Sequence, residues 1–278
     1  MVRRSHRRAI RSLAVSRSRT RRALILTVAA ALLASGCGPS TPAAPVKSGD
    51  ASAPLIVFAA ASLIDALTEI GGAYEAATGQ AVRFSFGASG AVARQIQSGA
   101  PADVVLLADS KWMDRLDQAG LIALGSRSDL LNNRLVVIAE ADASVAGDPF
   151  DWLAATDGKL VIGDPASVPA GAYAKTWMQQ TGRWDALQPR LVTASDVRAV
   201  RTFVDRGEAG LGVVYFSDTV GDPAIKVVAE PAAADRPAIV YPVGATRTAG
   251  PGAARFVAFL KTPRASAVFQ AHGFGIAP

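Results

Sequence analysis

Five positions at the ends of strands or loops look alike, and three of them have a small or hydroxyl-bearing residue where a strand or loop meets a helix. The five positions are Ser62, Ser89, the turn at Ala170, the turn at Val197, and Tyr215. Hydroxyl groups donate hydrogen bonds, and the first backbone N–H groups of a helix have no partner within it. With little positive charge nearby, such donors suit a small, fully deprotonated oxyanion. The alternatives are that both serines only cap their own helices and that the tyrosine lies at the core edge with a satisfied hydroxyl.

The first of these places lies in a strand–turn–helix segment. Residues 55–58 are a short apolar run that predicts a buried parallel strand. Ser62 then stands where a helix over residues 63–77 would begin, and Asp65 follows three residues later. This spacing is that of a capping box with Asp in place of Glu or Gln, so we expect Ser62 to begin the helix.

The alternation of strand and helix continues to the end of the chain. Apolar runs predict strands over residues 81–86, 102–107, 135–138, 160–165, 191–192, 211–215 and 241–243. Helical patterns cover residues 91–96, 111–119, 168–180, 195–206, 253–260 and 268–273. This order predicts α/β layers with mainly parallel sheets, whose ligands lie at the carboxyl ends of the strands.

The first 37 residues have the pattern of an export signal. Residues 1–22 hold nine arginines and no acidic residue, and the apolar run 23–34 is too short to span a bilayer. Small residues then precede Cys37, the only cysteine of the chain. A lone cysteine here is typical of the lipobox of bacterial lipoproteins, so we expect Cys37 to become a lipidated N-terminus; the alternative is ordinary cleavage nearby. Arg21-Arg22 is also compatible with twin-arginine export.

Removal of the leader reverses the net charge of the protein. The whole chain has 29 basic and 23 acidic residues, which gives a net charge of +6. Without the nine leader arginines, 20 basic residues remain against the same 23 acidic ones, so the exported protein carries about −3. No basic patch is left to indicate nucleic acid as a partner. Residues 38–53, rich in Pro, Ser, Ala and Gly, predict a flexible tether before the folded body.

The sequence offers little for catalysis. The segment around Ser89 is similar to a nucleophile elbow, but Gly-x-Ser-x-Gly would need glycine at position 91, where Ala91 stands. His272 is the only histidine of the body, so no Ser–His–Asp set is evident, and no cluster of cysteine and histidine indicates a metal site. We therefore predict a binding protein with neither enzymatic activity nor a cofactor.

Several stretches of the body, in order and with compatible spacing, resemble the molybdate-binding proteins of bacterial molybdate ABC transporters. The stretches are 57–63 (VFAAASL), 93–96 (ARQI), 99–103 (GAPAD), 108–109 (AD), 111–114 (KWMD), 163–165 (GDP), 168–171 (VPAG), 173–175 (YAK), 196–198 (DVR), 212–215 (GVVY) and 217–218 (SD). The resemblance covers nearly all of residues 54–278. This collinearity is far more specific than any single motif.

The resemblance implies a fold, a ligand and a site. The fold is the type II periplasmic-binding-protein fold, a two-lobed α/β fold with the ligand in the cleft between the lobes. The expected ligand is molybdate, and tungstate is a second expected ligand. The protein would be a monomer, either free in the periplasm or anchored to the outer side of the membrane. It would deliver the ligand to an ABC permease. Matched motif by motif, the oxyanion contacts are the hydroxyl groups of Ser62, Ser89 and Tyr215 and the backbone N–H groups of Ala170 and Val197. Molybdenum would be held only as the oxyanion, by hydrogen bonds.

The chain is expected to pass between the lobes twice. We predict that lobe one consists of residues 54–134 and 238–278 and lobe two of residues 135–237, with crossings near 133–134 and 239–240. The two serines would come from lobe one and the other three contacts from lobe two. A ligand that bridges the lobes favours the closed state, so binding would be coupled to hinge closure.

Other ligands and another class of function stay open at this point. Members of the family often have a run of serines here, whereas Ser89 stands between Ala88 and Gly90. Binders of sulfate, phosphate, ferric ion and organic solutes share the two-lobed fold. Hydrogen phosphate would need an acceptor, which Asp196 would supply if its carboxylate pointed inward. A lipid-anchored enzyme would need an acid–base pair in the cleft.

Five charged residues near the predicted site have more ordinary expected roles. Arg94 and Arg198 each follow a predicted site residue on a helix, and we expect them to be solvated or salt-bridged. We expect Asp103, Asp109 and Asp164 to cap helices or brace loops.

Overall fold

Two separate β-sheets, each covered by helices, form the framework of the protein. The structure is a computed structural model that describes residues 53–278. The predicted export signal, Cys37 and all but the last residue of the predicted tether lie outside the described residues. Among the helices of residues 53–278, none is long and apolar enough to cross a membrane.

Strands and helices alternate along most of the described chain. The strands are β1 (Leu55–Ala60), β2 (Val82–Gly87), β3 (Val104–Leu106), β4 (Ser128–Asn133), β5 (Leu135–Glu140), β6 (Leu160–Gly163), β7 (Leu191–Ala194), β8 (Leu211–Tyr215), β9 (Ile225–Ala229), β10 (Ile239–Ala245) and β11 (Gly275–Ile276). The helices are α1 (Ile64–Thr78), α2 (Ser89–Gln97), α3 (Ser110–Gln118), α4 (Pro149–Ala154), α5 (Pro169–Gln180), α6 (Trp184–Leu187), α7 (Val197–Asp205), α8 (Gly252–Leu260) and α9 (Pro263–Ala271). The predicted α/β layering is therefore confirmed. The prediction of mainly parallel sheets is wrong, because both sheets are mixed and five of the nine strand pairings are antiparallel.

The first lobe is built on a six-stranded sheet with the order β11-β4-β10-β3-β1-β2. Strand β1 pairs in parallel with β2 and β3, while β10 pairs antiparallel with β3 and β4. Helices α1, α2, α3, α8 and α9 pack on this sheet or on one another. Strand β1 is almost entirely buried, which explains why it reads as a continuous apolar run without alternation.

The second lobe is built on a five-stranded sheet with the order β7-β6-β8-β5-β9. Strand β6 pairs in parallel with β7 and β8, and β5 pairs antiparallel with β8 and β9. The chain leaves the first sheet at the end of β4 and enters the second at β5, with only Arg134 between them. It returns to the first sheet between β9 and β10. The exact lobe boundaries stay a prediction.

Six elements differ from the sequence prediction. The patterns did not indicate β4, β9, β11, α4 or α6, and the last helix begins at Pro263, five residues earlier than expected. The start of α9 is fixed by Thr262, whose hydroxyl accepts the N–H of Ala265 at 3.3 Å, and by proline in the first turn. Asp148 caps α4 in the same way, ahead of Pro149.

The predicted capping box at Ser62 is wrong. A one-turn 3-10 helix, Ala61–Leu63, leads directly into α1, and Leu63 stands at the N-cap position without a side-chain hydrogen bond. The Ser62 hydroxyl lies 2.9 Å from the hydroxyl of Tyr241 and is therefore directed away from the helix. Asp65 is also used elsewhere, because its carboxylate pairs with Arg198 at 2.7 Å.

Glycine allows α5 to begin directly against the end of β6. A Cβ atom at Gly171 would lie 1.8 Å from the carbonyl oxygen of Gly163, far inside van der Waals contact. The obstructing atom belongs to backbone, which cannot rotate away as a side chain does. The absence of a side chain at Gly171 therefore sets where the first turn of α5, with Ala170, lies relative to the sheet.

We expect Gly171→Ala to destabilise the protein by about 1–3 kcal/mol or more, because the added methyl group forces helix and strand apart. Gly72→Ala is the matched control, since Gly72 lies in the exposed face of α1 and a Cβ there meets nothing within 4 Å. The control should gain up to about 1 kcal/mol from helix propensity. Urea unfolding followed by circular dichroism measures both, and equal midpoints for the two variants would contradict the close packing.

Candidate functional site

A small cavity lies between the two lobes, where the parallel strands of both sheets reach their carboxyl ends. The space that the centre of a water-sized sphere can occupy in it is about 10 Å³, far below the roughly 300–1,000 Å³ of sites for drug-sized organic ligands. It is lined by Ala60, Ala61, Ser62, Gly87, Ala88, Ser89, Ala108, Val168, Pro169, Asp196, Val197 and Tyr215. The size fits a small inorganic ion better than an organic solute.

The two predicted serines both line this cavity from the first lobe. Ser62 is 2% exposed and Ser89 is 1% exposed. Neither caps its own helix: the Ser62 hydroxyl contacts that of Tyr241, and Ser89 Oγ accepts the backbone N–H of Ala108 at 2.9 Å. The alternative that they are plain helix caps is therefore wrong. Ser89 is also the only hydroxyl-bearing residue in its turn, between Ala88 and Gly90.

The second lobe brings two helix N-termini towards the cavity. Val197 is the first residue of α7 and lines the cavity, and Ala170 is the second residue of α5. Ala170 is fully buried next to the lining residues Val168 and Pro169 but does not line the cavity with its own side chain. Its predicted role requires only its backbone, because the N–H groups of a first helical turn have no partner inside the helix.

Tyr215 closes the second-lobe side of the cavity at the end of β8. Its side chain is 1% exposed, and its hydroxyl has no hydrogen-bond partner among the described residues. Burial raises the pKa of this hydroxyl well above its ordinary value, so it keeps its proton. The alternative of a core-edge tyrosine with a satisfied hydroxyl is therefore wrong. A buried donor without a partner costs free energy unless a ligand accepts its hydrogen bond.

The cavity lining contains no lysine, arginine or histidine. Asp196 is its one charged residue, and its carboxylate serves as the cap of α7: Oδ1 accepts the N–H of Ala199 at 3.0 Å, and Oδ2 lies 3.4 Å from the Ser195 hydroxyl. Both carboxylate oxygens thus have a contact at the start of α7, although Asp196 also belongs to the lining. The cavity therefore offers hydrogen-bond donors and the positive ends of helix dipoles.

Arg198 follows the cavity residue Val197 but binds carboxylates outside the lining. Its guanidinium lies 2.7 Å from Asp65 of the first lobe and 3.3 Å from the fully buried Asp218. The expected salt-bridged role is confirmed. Burial raises the pKa of Asp218 to about 6, while Arg198 and the N–H of Tyr215, which Asp218 Oδ2 accepts at 3.1 Å, act in the opposite direction.

Contacts across the cleft hold the two lobes together around the cavity. The pair between Arg198 and Asp65 joins α7 of the second lobe to α1 of the first. The backbone N–H of Gly90 donates to the carbonyl oxygen of Ser167 at 2.9 Å, beside Ser89. These two contacts bring the lobes together on either side of the cavity.

The other charged residues singled out in the sequence lie outside the cavity. Arg94 is exposed, with its guanidinium 5.6 Å from the Trp112 ring centre. Asp103 accepts the N–H groups of Ile56 and Gly250, Asp109 caps α3, and Asp164 accepts the N–H of Ala166 and the hydroxyl of Ser167. The expectation that these aspartates cap or brace is confirmed.

Sequence reasoning missed the residues that support the site from behind. Tyr241 and Asn133 form a hydrogen-bonded chain to Ser62, although neither lines the cavity. Their partners are distant in sequence: Tyr241 and Ser62 are 179 positions apart. The strand pattern placed Tyr241 in a strand, but no local signal shows which partner its hydroxyl meets.

Groups for hydrolytic or metal chemistry are not assembled within residues 53–278. His272 lies 3.0 Å from Glu69 at the exposed surface, where both residues belong to the first lobe. Among the described residues, no group of three or more His, Cys, Asp and Glu side chains is arranged to hold a metal ion. What the cavity can do is accept the oxygens of an anion with hydroxyl and backbone donors.

Known proteins resemble this chain over most of its length. The model of the bacterial extracellular solute-binding protein family matches residues 55–275. The molybdate-binding protein ModA of Escherichia coli is 41% identical over 229 residues, which cover 80% of this chain and 89% of that protein. ModA of Haemophilus influenzae is 37% identical over 231 residues, which cover 81% and 91%.

A solved structure shows the same fold. The periplasmic molybdate-binding protein of Azotobacter vinelandii superposes with a TM-score of 0.73 at 28% sequence identity, covering 81% of this chain and 100% of that one. The predicted two-lobed substrate-binding fold is thus confirmed, and so is the resemblance noted in the sequence.

Proposed function

This chain belongs to the bacterial extracellular solute-binding protein family, and we propose that it captures molybdate, and tungstate with it, for delivery to an ABC permease. The ModA proteins to which it is similar are named for molybdate binding. The observation that carries the proposal is the cavity itself. It is small, lies between the lobes and is lined by three buried hydroxyl-bearing residues without any cationic side chain.

We propose five contacts with the oxyanion, three from hydroxyl groups and two from backbone. The hydroxyl donors are Ser62, Ser89 and Tyr215, and the backbone donors are the N–H groups of Ala170 and Val197. Support comes from the lining of the cavity, which contains four of the five, and from the helix N-termini that carry the backbone donors. Molybdenum is cargo in this scheme, held only as its oxyanion, and capture requires no cofactor.

The cellular setting follows from the same proposal. The protein would act outside the cytoplasm after export by residues 1–37, in the periplasm or tethered through a lipid on Cys37. It would work as a monomer that the permease recognises in its closed form, and as a transport component without enzymatic activity. Residues 38–53 would give the tether its reach.

Sulfate and phosphate are the competing ligands, and the cavity treats them differently. Sulfate, like molybdate, carries no proton at neutral pH and would be rejected only on size. Hydrogen phosphate carries a proton that needs an acceptor, and the one carboxylate of the lining, that of Asp196, already accepts hydrogen bonds from Ala199 and Ser195 at the start of α7. This observation favours the fully deprotonated anions.

Calorimetric titration of residues 38–278 with molybdate, tungstate, sulfate and phosphate tests the proposal directly. We expect tight one-to-one binding of molybdate and tungstate and no measurable binding of the other two, because the donor set matches a larger, unprotonated oxyanion. Tight sulfate or phosphate binding with weak molybdate binding would overturn the ligand and keep the fold. No binding of any of the four would overturn the function.

Ser89→Ala should weaken molybdate binding about tenfold to a hundredfold, because a hydrogen bond to a charged group is worth roughly 1.5–3 kcal/mol. Titration calorimetry of the variant measures this loss. Ser126→Ala is the matched control, since the Ser126 hydroxyl also accepts a backbone N–H, that of Ala245 at 3.1 Å, but lies outside the cavity lining. Unchanged affinity in Ser89→Ala would remove Ser89 from the site.

Asp65→Asn should weaken molybdate binding by about 1.5- to 5-fold at low salt and less at high salt, because it breaks an ion pair that joins the lobes only when the cleft is closed. Asp114→Asn is the control: Asp114 is as exposed as Asp65, each 47%, but pairs with Arg127 within the first lobe. Equal affinities of the two variants across a salt series would show that the pair makes no contribution to closure.

A further inference from the structure

A chain of hydrogen bonds lies directly behind Ser62, on the side away from the cavity. The side-chain amide nitrogen of Asn133 is 3.2 Å from the hydroxyl of Tyr241, and that hydroxyl is 2.9 Å from Ser62 Oγ. Tyr241 is completely buried and Ser62 is 2% exposed. Neither Asn133 nor Tyr241 lines the cavity, so their hydroxyl and amide groups act through Ser62.

The orientation of the Asn133 amide fixes the direction of this chain. Its Oδ1 accepts the backbone N–H of Arg134 at 2.9 Å, and a backbone N–H can only donate. The other end of the amide, Nδ2, therefore faces Tyr241 and also donates to the hydroxyl of Ser217 at 2.9 Å. Because an amide nitrogen has no acceptor capacity, the Tyr241 oxygen must accept at this contact.

The Tyr241 hydroxyl then has one hydrogen to donate and one remaining partner that can accept it. Its hydroxyl contacts only Asn133 and Ser62 among the described residues, and Asn133 is already the donor. Burial raises the pKa of Tyr241 well above its ordinary value, so this hydrogen is retained across the physiological range. The remaining partner, Ser62 Oγ, is therefore the acceptor.

A serine oxygen that accepts from behind has its own hydrogen free to point forward. Ser89 is arranged in the same sense, because its oxygen accepts the N–H of Ala108, which cannot reverse its direction. Both serines of the cavity are thus held as donors by groups outside the lining. Backbone orients Ser89, whereas two side chains orient Ser62.

We propose that Tyr241 and Asn133 are positioning residues that hold the Ser62 hydroxyl as a donor and thereby set the preference of the cavity for unprotonated oxyanions over proton-bearing ones. This inference rests on the proposed function. With Ser62 free to rotate, its lone pairs would face the cavity part of the time and accept the proton of an anion such as hydrogen phosphate. The hydrogen bond from Tyr241 occupies one of the two Ser62 lone pairs and so disfavours that option.

The decisive experiment compares Tyr241→Phe with the wild-type full mature chain. The variant removes the hydroxyl but keeps the ring, which packs edge-on to Tyr215 and Phe274 at centroid distances of 5.7 and 5.5 Å. Calorimetry gives the molybdate affinity, and competition with molybdate at millimolar concentrations gives the affinities of sulfate and inorganic phosphate at a pH well above the second pKa of phosphate, where it is the dianion HPO4²−. Sulfate and hydrogen phosphate are tetrahedral and similar in size, so their affinity ratio isolates the effect of the proton.

We expect Tyr241→Phe to weaken molybdate binding about three- to tenfold and to lower the sulfate-to-phosphate affinity ratio by a similar factor. Tyr74→Phe is the matched control, because Tyr74 is equally buried in the first lobe and its hydroxyl donates to Gln80 at 3.2 Å, outside the cavity lining. The control should leave the ratio unchanged. A loss in Tyr241→Phe that is equal for all three anions would indicate a merely structural role and overturn the inference.

A second variant reverses the chain without removing Tyr241. Asn133→Asp replaces the donor at Nδ2 by an acceptor, so that Tyr241 donates to the new carboxylate and Ser62 donates to Tyr241, which turns the Ser62 lone pairs towards the cavity. The added charge repels both dianions alike, so the sulfate-to-phosphate ratio again reports the proton alone. We expect this ratio to fall at least as far as in Tyr241→Phe, and an unchanged ratio in both variants overturns the inference.

The outcomes separate the inference from the function on which it rests. If the wild-type chain fails to bind molybdate, the proposed function falls and the inference falls with it. If the wild type binds molybdate and both variants keep its affinity and its anion ratio, the function stands and only the orienting role of Tyr241 and Asn133 is overturned.

Discussion

A doubly charged anion enclosed in protein without a countercharge is the constraint on which the rest of this structure depends. Removing such an ion from water costs many kcal/mol unless donors replace its hydration. In the proposed site, three buried hydroxyl-bearing residues and the first turns of helices α5 and α7 would supply these donors. Parallel strands supply the geometry, because their carboxyl ends gather helix N-termini at one edge of each sheet.

The same constraint explains where the nearby positive charge is placed. Arg198 follows directly after Val197, but Asp65 and the buried Asp218 hold its guanidinium outside the cavity lining. Asp218 also accepts the backbone N–H of Tyr215, so one carboxylate supports both the tyrosine of the site and the arginine of the interlobe ion pair. Closure of the cleft and the position of Tyr215 are therefore connected through a single buried residue.

What the sequence predicted well was local, and what it missed depends on contacts between distant segments. The strand–helix alternation and the turn residues Ser62, Ser89 and Val197 are local signals, and each of these residues lines the cavity. The hydroxyl directions are not local, because Ser62 is set by Tyr241, 179 positions away. That contact also explains why the capping prediction is wrong, because the Ser62 hydroxyl bonds to Tyr241 and not to a backbone N–H of the helix. Strand β4 was missed because its sequence, SDLLNN, has only two apolar residues and is recognised as a strand only by its pairing with β10.

In the turn around Ser89, a short distance between the lobes and a larger number of hydroxyl donors exclude each other. A Cβ atom at Gly90 would lie 2.7 Å from the carbonyl oxygen of Ser167 in the second lobe and 2.6 Å from the Trp112 ring. A serine at this position, as in a run of serines, would therefore push the lobes apart or displace Trp112. Glycine instead lets its N–H reach Ser167 at 2.9 Å and close the cleft. Since Ala88 and Gly90 contribute no hydroxyl, Ser89 is the only side-chain donor of the turn, and its oxygen is held by the N–H of Ala108 at 2.9 Å.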